Sequence, residues 1–492
     1  MSNGVLLVYA FVLLSAAPPS VAAPRIVPRD SRKHLVLDRR IVESVFCGRL
    51  VYGAVTKHPG NPLFRADEPW ENALNNLYPN VHYDERDKRF LLWYKCVLHD
   101  KEAIAGMSAP TLTIHGQGWY ELFATSRDGL RWDKPGQNRH VFRQKYITNA
   151  VTSDTPNVGV FHDAHDRDPA RRYKRIYDGG PGRMRVRFSP DGLRWSRPVE
   201  PKGFTPRTGD THNNAFWDER LGKYVLMTRP PPRRTAGGAR SESSDFLHWS
   251  EPRVVIRSSA RRGQARRQTY CCTAFPYANG YLGYLMMYNV ADGQTVDCEL
   301  VYSPDSVTWE RVLPGVPFLP RGPKGSVDSA CVYAPAGPPI AQGDDLMIVY
   351  GGSDFPHRGW KRHCLPCLAR LRVDRFAGYE RAGPGHRRHC YHGADAGDRR
   401  PVADQRRRRR RCRAGGGGWR SDAHGRSVRA GHHRRDRHDG AVEGRATSAA
   451  FVAVWCGCSS SSPAARGCTP SAASSTSAAR RSAPGYGCSR RS

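Results

Sequence analysis

The sequence lacks a hydrophobic run long enough to span a membrane. Its longest apolar segment is 5–17, with 13 residues (VLLVYAFVLLSAA), whereas a membrane-spanning helix needs about 20 apolar residues. Small residues follow it at Ser20, Ala22 and Ala23, which is typical of a signal peptide over residues 1–23. We therefore expect a secreted protein, or one in the lumen of the secretory pathway, with no membrane span after cleavage.

The last 112 residues, 381–492, lack Lys, Leu, Ile, Met and Asn. This segment has 24 Arg against 7 acidic residues and supplies +17 of the net charge of +32. It holds too few large apolar residues for a packed core. Two interpretations stay open: a shift of the reading frame near residue 381, or a disordered basic tail that binds anionic polymers. The absence of Lys favours the frame shift, so the net charge does not predict a nucleic-acid partner.

Metal and cofactor motifs are also missing. Of the 14 Cys, 8 precede residue 381, and the sequence leaves their pairing open. The C-x-x-C segment Cys364–Cys367 has no second pair at zinc-site spacing, and the Gly pairs have no phosphate-loop spacing. We expect neither a metal nor a cofactor.

What the sequence does have is an internal repeat. The pattern S-x-D-x-x-x-W occurs four times, and successive Trp are 63, 54 and 60 residues apart. Ser and Asp side chains can accept hydrogen bonds from amides of a tight turn, and Gly129 and Gly192 permit positive φ. We expect each Trp to pack between neighbouring blades of a propeller. The four copies are Ser126–Trp132, Ser189–Trp195, Ser243–Trp249 and Ser303–Trp309.

An alternating β-hairpin pattern precedes each turn, and a fifth unit without the Trp turn follows Ser326. A period near 60 residues without long helical periodicity predicts an all-β fold, a five-bladed β-propeller over residues 34–376. The predicted blades are 72–135, 150–200, 208–256, 268–314 and 326–376.

These turns resemble those of the five-bladed propeller glycosidases, the invertase, levansucrase and arabinanase group of glycoside hydrolase families 32 and 43. The segment His58–Pro62, followed by Pro69–Glu71, resembles secreted proteins near the family 32 N-terminal domains. The resemblance covers roughly residues 35–380, and it implies a C-terminal β-sandwich where the tail 381–492 stands.

The resemblance also implies carboxylates projecting into an axial funnel, since glycosidases use a nucleophile or base together with a general acid. Asp154-Thr-Pro-Asn157 and Asp210-Thr-His-Asn213 occupy equivalent blade starts, so Asp154 and Asp210 are the candidate catalytic pair, with Asp328 at the matching place in blade five. Further candidates for binding glycan hydroxyl groups in the funnel are Glu71, Asn80, Asn157, His212, Asn213 and Arg229.

One departure from the family bears on activity. The family's early Asp in blade one is replaced by Leu77-Tyr78-Pro79-Asn80, with Glu71 as a possible substitute, and Glu121, Glu242 and Glu299 are expected to be peripheral. The sequence therefore predicts a secreted glycoside hydrolase acting on an oligo- or polysaccharide. The alternative is a propeller that binds or scaffolds carbohydrate without cleaving it.

Overall fold

The computed structural model describes residues 22–27, 29–38, 40–42, 45, 48–108, 111–112, 116–153, 158–180, 183–205, 208–230, 237–257, 267–358 and 363–381. The signal-peptide segment before residue 22, the tail after residue 381, and Asp154 and Asn157 lie outside them. No helix in the described part of the chain has the length and apolar character needed to cross a membrane.

The regular secondary structure of the described residues is almost entirely β-strand, with one short α-helix and one 3₁₀ turn. The helical elements are α1 (Lys101–Gly106) and the 3₁₀ turn Pro169–Arg171. The strands are β1 (Pro24–Ile26), β2 (Gly48–Tyr52), β3 (Thr56–Lys57), β4 (Asn80–Asp84), β5 (Arg89–Leu98), β6 (Thr111–Leu112), β7 (Gly118–Ser126), β8 (Val141–Phe142), β9 (Tyr146–Ile147), β10 (Ala150–Thr152), β11 (Gly159–His162), β12 (Tyr173–Asp178), β13 (Met184–Ser189), β14 (Asn214–Asp218), β15 (Lys223–Thr228), β16 (Gly237–Ser243), β17 (Arg253–Arg257), β18 (Arg267–Tyr277), β19 (Gly280–Asn289), β20 (Thr295–Ser303), β21 (Glu310–Arg311), β22 (Cys331–Tyr333), β23 (Ile340–Gln342), β24 (Asp345–Ser353), β25 (Cys364–Arg372) and β26 (Ala377–Arg381).

Antiparallel hairpin pairing divides the strands into five successive groups, which we call sheets one to five. A parallel pairing of β20 with β22, at Val296 and Cys331, joins sheets four and five into one ten-stranded sheet. Sheet one is β4-β5-β7 with β6 and β10 on β7; sheet two is β11-β12-β13; sheet three is β14-β15-β16-β17; sheet four is β18-β19-β20-β21. In sheet five, β22 and β23 both pair with β24, and β25 follows. This up-and-down order of local hairpins is the all-β propeller arrangement that the repeat predicts.

The first strands of the sheets lie side by side. The Asn80 side-chain amide donates to Val158 O (3.1 Å), and Asn214 Oδ1 accepts from Ala274 N (2.7 Å). The backbone N–H of Ala336, after β22, donates to Pro79 O (3.1 Å) and so links sheet five back to sheet one. The N-terminal strand β3 pairs with β25, so a segment from the start of the chain supplies the outer strand of the last sheet.

The S-x-D-x-x-x-W repeat forms the predicted turn. In the first copy, Ser126 Oγ accepts from the N–H groups of Asp128 and Gly129, and Asp128 Oδ1 accepts from those of Leu130 and Arg131. The residue after Asp has positive φ in every copy (75°, 74°, 68° and 62°), although it is Gly only in the first two. The Trp packs where sheets meet, as Trp249 does among buried residues of sheets two and three.

A carboxylate, a tyrosine and a cation recur together between neighbouring sheets. Asp163, after β11, accepts from Tyr224 Oη of sheet three (2.8 Å) and from the fully buried Lys174 Nζ (2.6 Å). Asp218, at the end of β14, likewise accepts from Tyr281 Oη of sheet four and lies 3.5 Å from Arg29. Because each buried carboxylate has both a hydrogen-bond donor and a counter-charge, its burial is compensated. These contacts hold adjacent sheets in register.

The seven described cysteines are buried free thiols, so none of them forms a disulfide: Cys96, Cys271, Cys272, Cys298, Cys331, Cys364 and Cys367. No group of three or more His, Cys, Asp or Glu with metal-site geometry occurs within the described ranges.

Candidate functional site

Polar and aromatic side chains gather where the first strands of the sheets begin. We call this set the axial cluster: Asn76, Tyr78, Lys95, Asp210, His212, Arg229, Tyr270, Tyr333 and His357. Sheet one contributes through an unusual turn, since Asn76, Leu77 and Tyr78 all have positive φ (60°, 49° and 49°). Residues other than Gly adopt this conformation at a cost of about 1–2 kcal/mol each. Such local strain is typical of sites whose side chains need a fixed position.

The strained turn presents the phenol of Tyr78. Its hydroxyl hydrogen-bonds the hydroxyl of Tyr270 from β18, and the Asn76 amide donates to both, at 3.2 and 3.1 Å. Its ring stacks on the ring of His212, with centroids 4.7 Å apart. Burial, and then the neighbouring Tyr270, raise the pKa of Tyr78 well above its ordinary value. Tyr78 therefore keeps its proton at neutral pH and is a hydrogen-bond donor rather than a nucleophile.

His212 is fully buried beneath Tyr78. Burial lowers the pKa of His212 to about 3, so its ring is neutral at physiological pH. Its Nε2 lies 3.3 Å from Asn80 Oδ1. His212 therefore supports the Tyr78 ring and does not supply a proton.

Asp210 is the exposed acid of the cluster. It lies at the centre of a three-residue turn in which Thr211 N–H donates to Gly209 O (2.7 Å). Gly209 has φ 96°, and a Cβ there would lie 2.2 Å from Met184 Sδ, so the close approach requires glycine. The Asp210 side chain is 64% exposed and forms an ion pair with Arg229, which is 25% exposed.

Cations and aromatic rings surround this pair. The Arg229 guanidinium lies 5.8 Å from the centroid of the Tyr270 ring, and Lys95 Nζ lies 4.9 Å from that of Tyr78. His357 Nδ1 is 2.8 Å from Tyr333 Oη, and its ring centroid is 4.6 Å from that of Tyr270. The cluster therefore combines one accessible carboxylate, the partly exposed Arg229 and the partly exposed rings of Tyr270 and His357. Such a combination is the chemistry with which proteins contact sugars.

Of the predicted residues, Asp210, His212 and Arg229 lie together in the cluster, and Asn80 and Asn213 lie directly beneath it. Both asparagines are buried and hydrogen-bonded: Asn80 Oδ1 accepts from Val160 N (2.9 Å), and Asn213 Oδ1 accepts from Thr228 Oγ1 (2.7 Å). They fix the strand starts that carry the exposed residues.

Two other predicted acids lie in closed surroundings. Glu71 has no exposed side-chain surface; it accepts from Tyr94 Oη (2.7 Å) and Lys134 Nζ (2.6 Å). Asp328, whose side chain is 4% exposed, accepts from Tyr350 Oη (2.7 Å), Ser326 Oγ (3.0 Å) and Lys57 Nζ. Burial is the largest single influence on the pKa of Asp328 and raises it. The hydrogen bonds and the charge of Lys57 together outweigh burial, so the pKa lies below its ordinary value. Both acids repeat the carboxylate, tyrosine and cation arrangement found between the sheets.

Glu121 and Glu299, which we expected to be peripheral to the funnel, are buried acids paired with arginines. Glu121 is buried and lies 3.3 Å from the fully buried Arg175 of sheet two. Glu299 has no exposed surface and pairs with Arg311 (2.6 Å) and Arg267 (2.8 Å). Glu242 is 28% exposed and pairs with Arg240 and Lys223. All three acids lie on third strands, where they contact cations.

Sequence reasoning missed six members of the cluster: Asn76, Tyr78, Lys95, Tyr270, Tyr333 and His357. Tyr270 lies at a register shift in β18, between Thr269 and Cys271, and the sequence repeat does not mark it. Tyr78 lies within the segment that replaces the family's early Asp, but its role depends on a turn with positive φ at residues other than glycine. Hydrophobic periodicity in the sequence does not predict a turn of this kind.

Comparisons with known proteins give structural similarity only. No protein-family model matches the chain, and no curated protein matches it. Among solved structures, an N-acetylgalactosamine deacetylase from F. plautii is 16% identical with a TM-score of 0.45, covering 65% of this chain and 96% of its own. A β-1,2-mannobiose phosphorylase from Listeria innocua is 13% identical with a TM-score of 0.43, covering 65% and 97%.

An α-L-arabinofuranosidase from Podospora anserina is 11% identical with a TM-score of 0.40, covering 68% of this chain and 99% of its own. At these identities and TM-scores, the fold assignment rests on the strand pairing of the chain itself and the function on its site.

Proposed function

We propose that this protein is a secreted glycoside hydrolase with a five-bladed propeller, related to families 32 and 43, that cleaves a glycan bound at the axial cluster. The observation that carries the proposal is the open position of Asp210 between Arg229 and the Tyr78–Tyr270 pair. The sugar's ring face would lie on the partly exposed rings of Tyr270 and His357, and Arg229 would donate to its oxygens.

Glycoside hydrolysis needs two carboxyl groups, about 5 to 9.5 Å apart depending on whether configuration is retained or inverted. In this proposal Asp210 is one of them, and Asp154, which starts the equivalent segment of the preceding repeat, is the other. Arg229 forms an ion pair with Asp210, which in this proposal acts as the nucleophile or the base. No cofactor is required for this chemistry.

The test is hydrolysis of fructosyl, arabinosyl, xylosyl and galactosyl substrates by the full chain, followed by product analysis. The proposal predicts that one substrate class is cleaved, and that Asp210→Asn and Asp154→Asn each lower kcat about 10³-fold or more with little change in folding. Cleavage that survives both substitutions contradicts the assignment of this carboxylate pair.

A second candidate function is carbohydrate binding without cleavage. It is favoured by the closed surroundings of Glu71 and Asp328, which leave Asp210 as the exposed member of the described candidate acids. Under this alternative the substrates bind without turnover, and Asp210→Asn changes the affinity rather than a rate.

A further inference from the structure

A cavity outside the axial cluster lies between sheets one and two. It has a volume of about 800 Å³. One wall is formed by the segment that leads from the first Trp turn to β8, with Arg139 and His140, and the other by Arg187 of β13 and by Arg194. Thr152, at the end of β10, also lines it.

The charge of this cavity is strongly positive. Its lining has three arginines and a single acid, Asp191. Asp191 is already occupied, since its Oδ1 accepts from Leu193 N and Arg194 N (2.9 and 2.7 Å) and its Oδ2 lies 2.6 Å from Arg194 Nε. Arg194 is nonetheless 73% exposed. Two net positive charges therefore face the cavity, and guanidinium groups bind carboxylate and sulfate oxygens well.

The cavity is connected to the axial cluster through the pairing of sheet one. Thr152 pairs with Glu121 of β7, and Glu121 pairs with Lys95 of β5. Lys95 Nζ in turn lies 4.9 Å from the centroid of the Tyr78 ring. Thr152, Glu121 and Lys95 are themselves buried, so what the pairing shows is that the cavity and the axial cluster lie on the same sheet, with β7 between the strands that carry Thr152 and Lys95.

We propose that this cavity, the blade-one/two cavity, is a distal subsite for an acidic polysaccharide, holding carboxylate or sulfate groups of sugars beyond the one at the axial cluster. The inference rests on the proposed function, because the same polymer occupies both places. None of the lining residues is Phe, Tyr or Trp, whereas single-stranded nucleic acids are usually bound by stacking on such side chains. The observations therefore favour a glycan over a nucleic acid.

The test is direct binding by the full chain, measured as Kd, with no turnover required. The probes are an oligogalacturonate, a chondroitin sulfate oligosaccharide, a neutral maltooligosaccharide and a single-stranded oligonucleotide. The cavity variant is Arg139→Gln/Arg187→Gln/Arg194→Gln. The matched control is Arg127→Gln/Arg131→Gln/Arg253→Gln, which removes three exposed arginines elsewhere and leaves the basic tail in place.

We expect the cavity variant to weaken binding of at least one acidic oligosaccharide about tenfold or more, with the control within about twofold and the neutral probe unchanged. The oligogalacturonate and the chondroitin sulfate then report whether carboxylate or sulfate is preferred. Binding should also weaken with salt. If the triple variant folds poorly, Arg139→Gln alone is the second variant. Because Arg139 is exposed, this substitution should leave folding intact and weaken the binding of the acidic oligosaccharide by a smaller factor.

Equal losses in the cavity and control variants would overturn the subsite. Tighter binding of the oligonucleotide, dependent on the same three arginines, would overturn it in favour of nucleic acid. Because Asp210 is intact in both variants, loss of the subsite and failure of the glycosidase proposal are separate results.

Discussion

At the residue scale, the surroundings of an acid, rather than its presence in a motif, separate structural from accessible carboxylates. Asp210 and Asp328 were both candidate acids from the repeat, but Asp210 is 64% exposed beside Arg229, whereas Asp328 is enclosed by Lys57 and Tyr350. The difference depends on Lys57, which comes from a strand at the far end of the sequence and so could not be inferred locally.

The buried acids give a stability prediction. Glu299 accepts two hydrogen bonds from Arg311 and one from Gly315 N (3.2 Å), and it also faces Arg267. Glu299→Gln removes the carboxylate that faces Arg311 and leaves Arg267 paired with Asp297 (3.3 Å). We expect the free energy of unfolding to fall by about 3 kcal/mol. Urea denaturation measures it, with Glu219→Gln, at an exposed turn position, as the control. Equal midpoints for the two variants would show that the buried pairs contribute no stability.

At the element scale, the turn repeat could be predicted almost completely, because its hydrogen bonds are local. The sequence pattern predicted that the Ser and Asp side chains accept hydrogen bonds and that the glycine after Asp has positive φ in the first two copies. It did not show that Phe246 and Ser306 would adopt the same conformation (φ 68° and 62°) as the glycines. There the side-chain hydrogen bonds of the turn hold the backbone in place.

A glycine comparison tests the packing of these turns. Gly192 and Gly222 both have positive φ (74° and 62°). A Cβ at Gly192 would lie 2.5 Å from Trp93 Cζ2, whereas a Cβ at Gly222 would have no neighbour within 4 Å. We expect Gly222→Ala to cost about 1 kcal/mol from backbone strain alone. Gly192→Ala should cost about 1–3 kcal/mol more from overpacking against sheet one.

Chemical denaturation of the two variants measures this difference. Indistinguishable free energies of unfolding would mean that the turn of sheet two is not packed tightly against Trp93.

At the scale of the whole molecule, the five sheets are joined to one another by contacts between their first strands and by the pairing of β3 with sheet five. Alternation and period predicted the class of fold. The pairing of β3 with β25 and the linkage of Ala336 to Pro79 join residues far apart in sequence, and hydrophobic periodicity carries no information about such pairs. The axial cluster depends on these long-range contacts, which is why only part of it was predicted.

The contact between sheets one and two makes the fold sensitive to acid. His82 and His162 stack with centroids 4.1 Å apart, and burial, followed by the charge of His162, lowers the pKa of His82 to about 3. The other charged groups facing the pair are Asp84, Asp163, Arg86 and Arg172. A histidine in the unfolded chain takes up its proton near pH 6.5. Between pH 6.5 and 3 the unfolded state therefore binds more protons than the folded state, and the free energy of unfolding decreases as the pH is lowered.

His82→Phe removes one such proton. From pH 7 to pH 5, we expect the wild type to lose about 2 kcal/mol more unfolding free energy than the variant. Urea denaturation at the two pH values measures the loss. A variant that loses as much stability as the wild type would show that His82 is protonated in the folded state.

The central claim is that the axial cluster turns over a glycan with Asp210 as a reacting carboxylate. The most direct measurement is kcat for the cleaved glycoside in Asp210→Asn, compared with Asp87→Asn at an exposed hairpin turn. The account predicts a loss of about 10³-fold or more for Asp210→Asn alone, with substrate still bound. Equal kcat values for the two variants would contradict it.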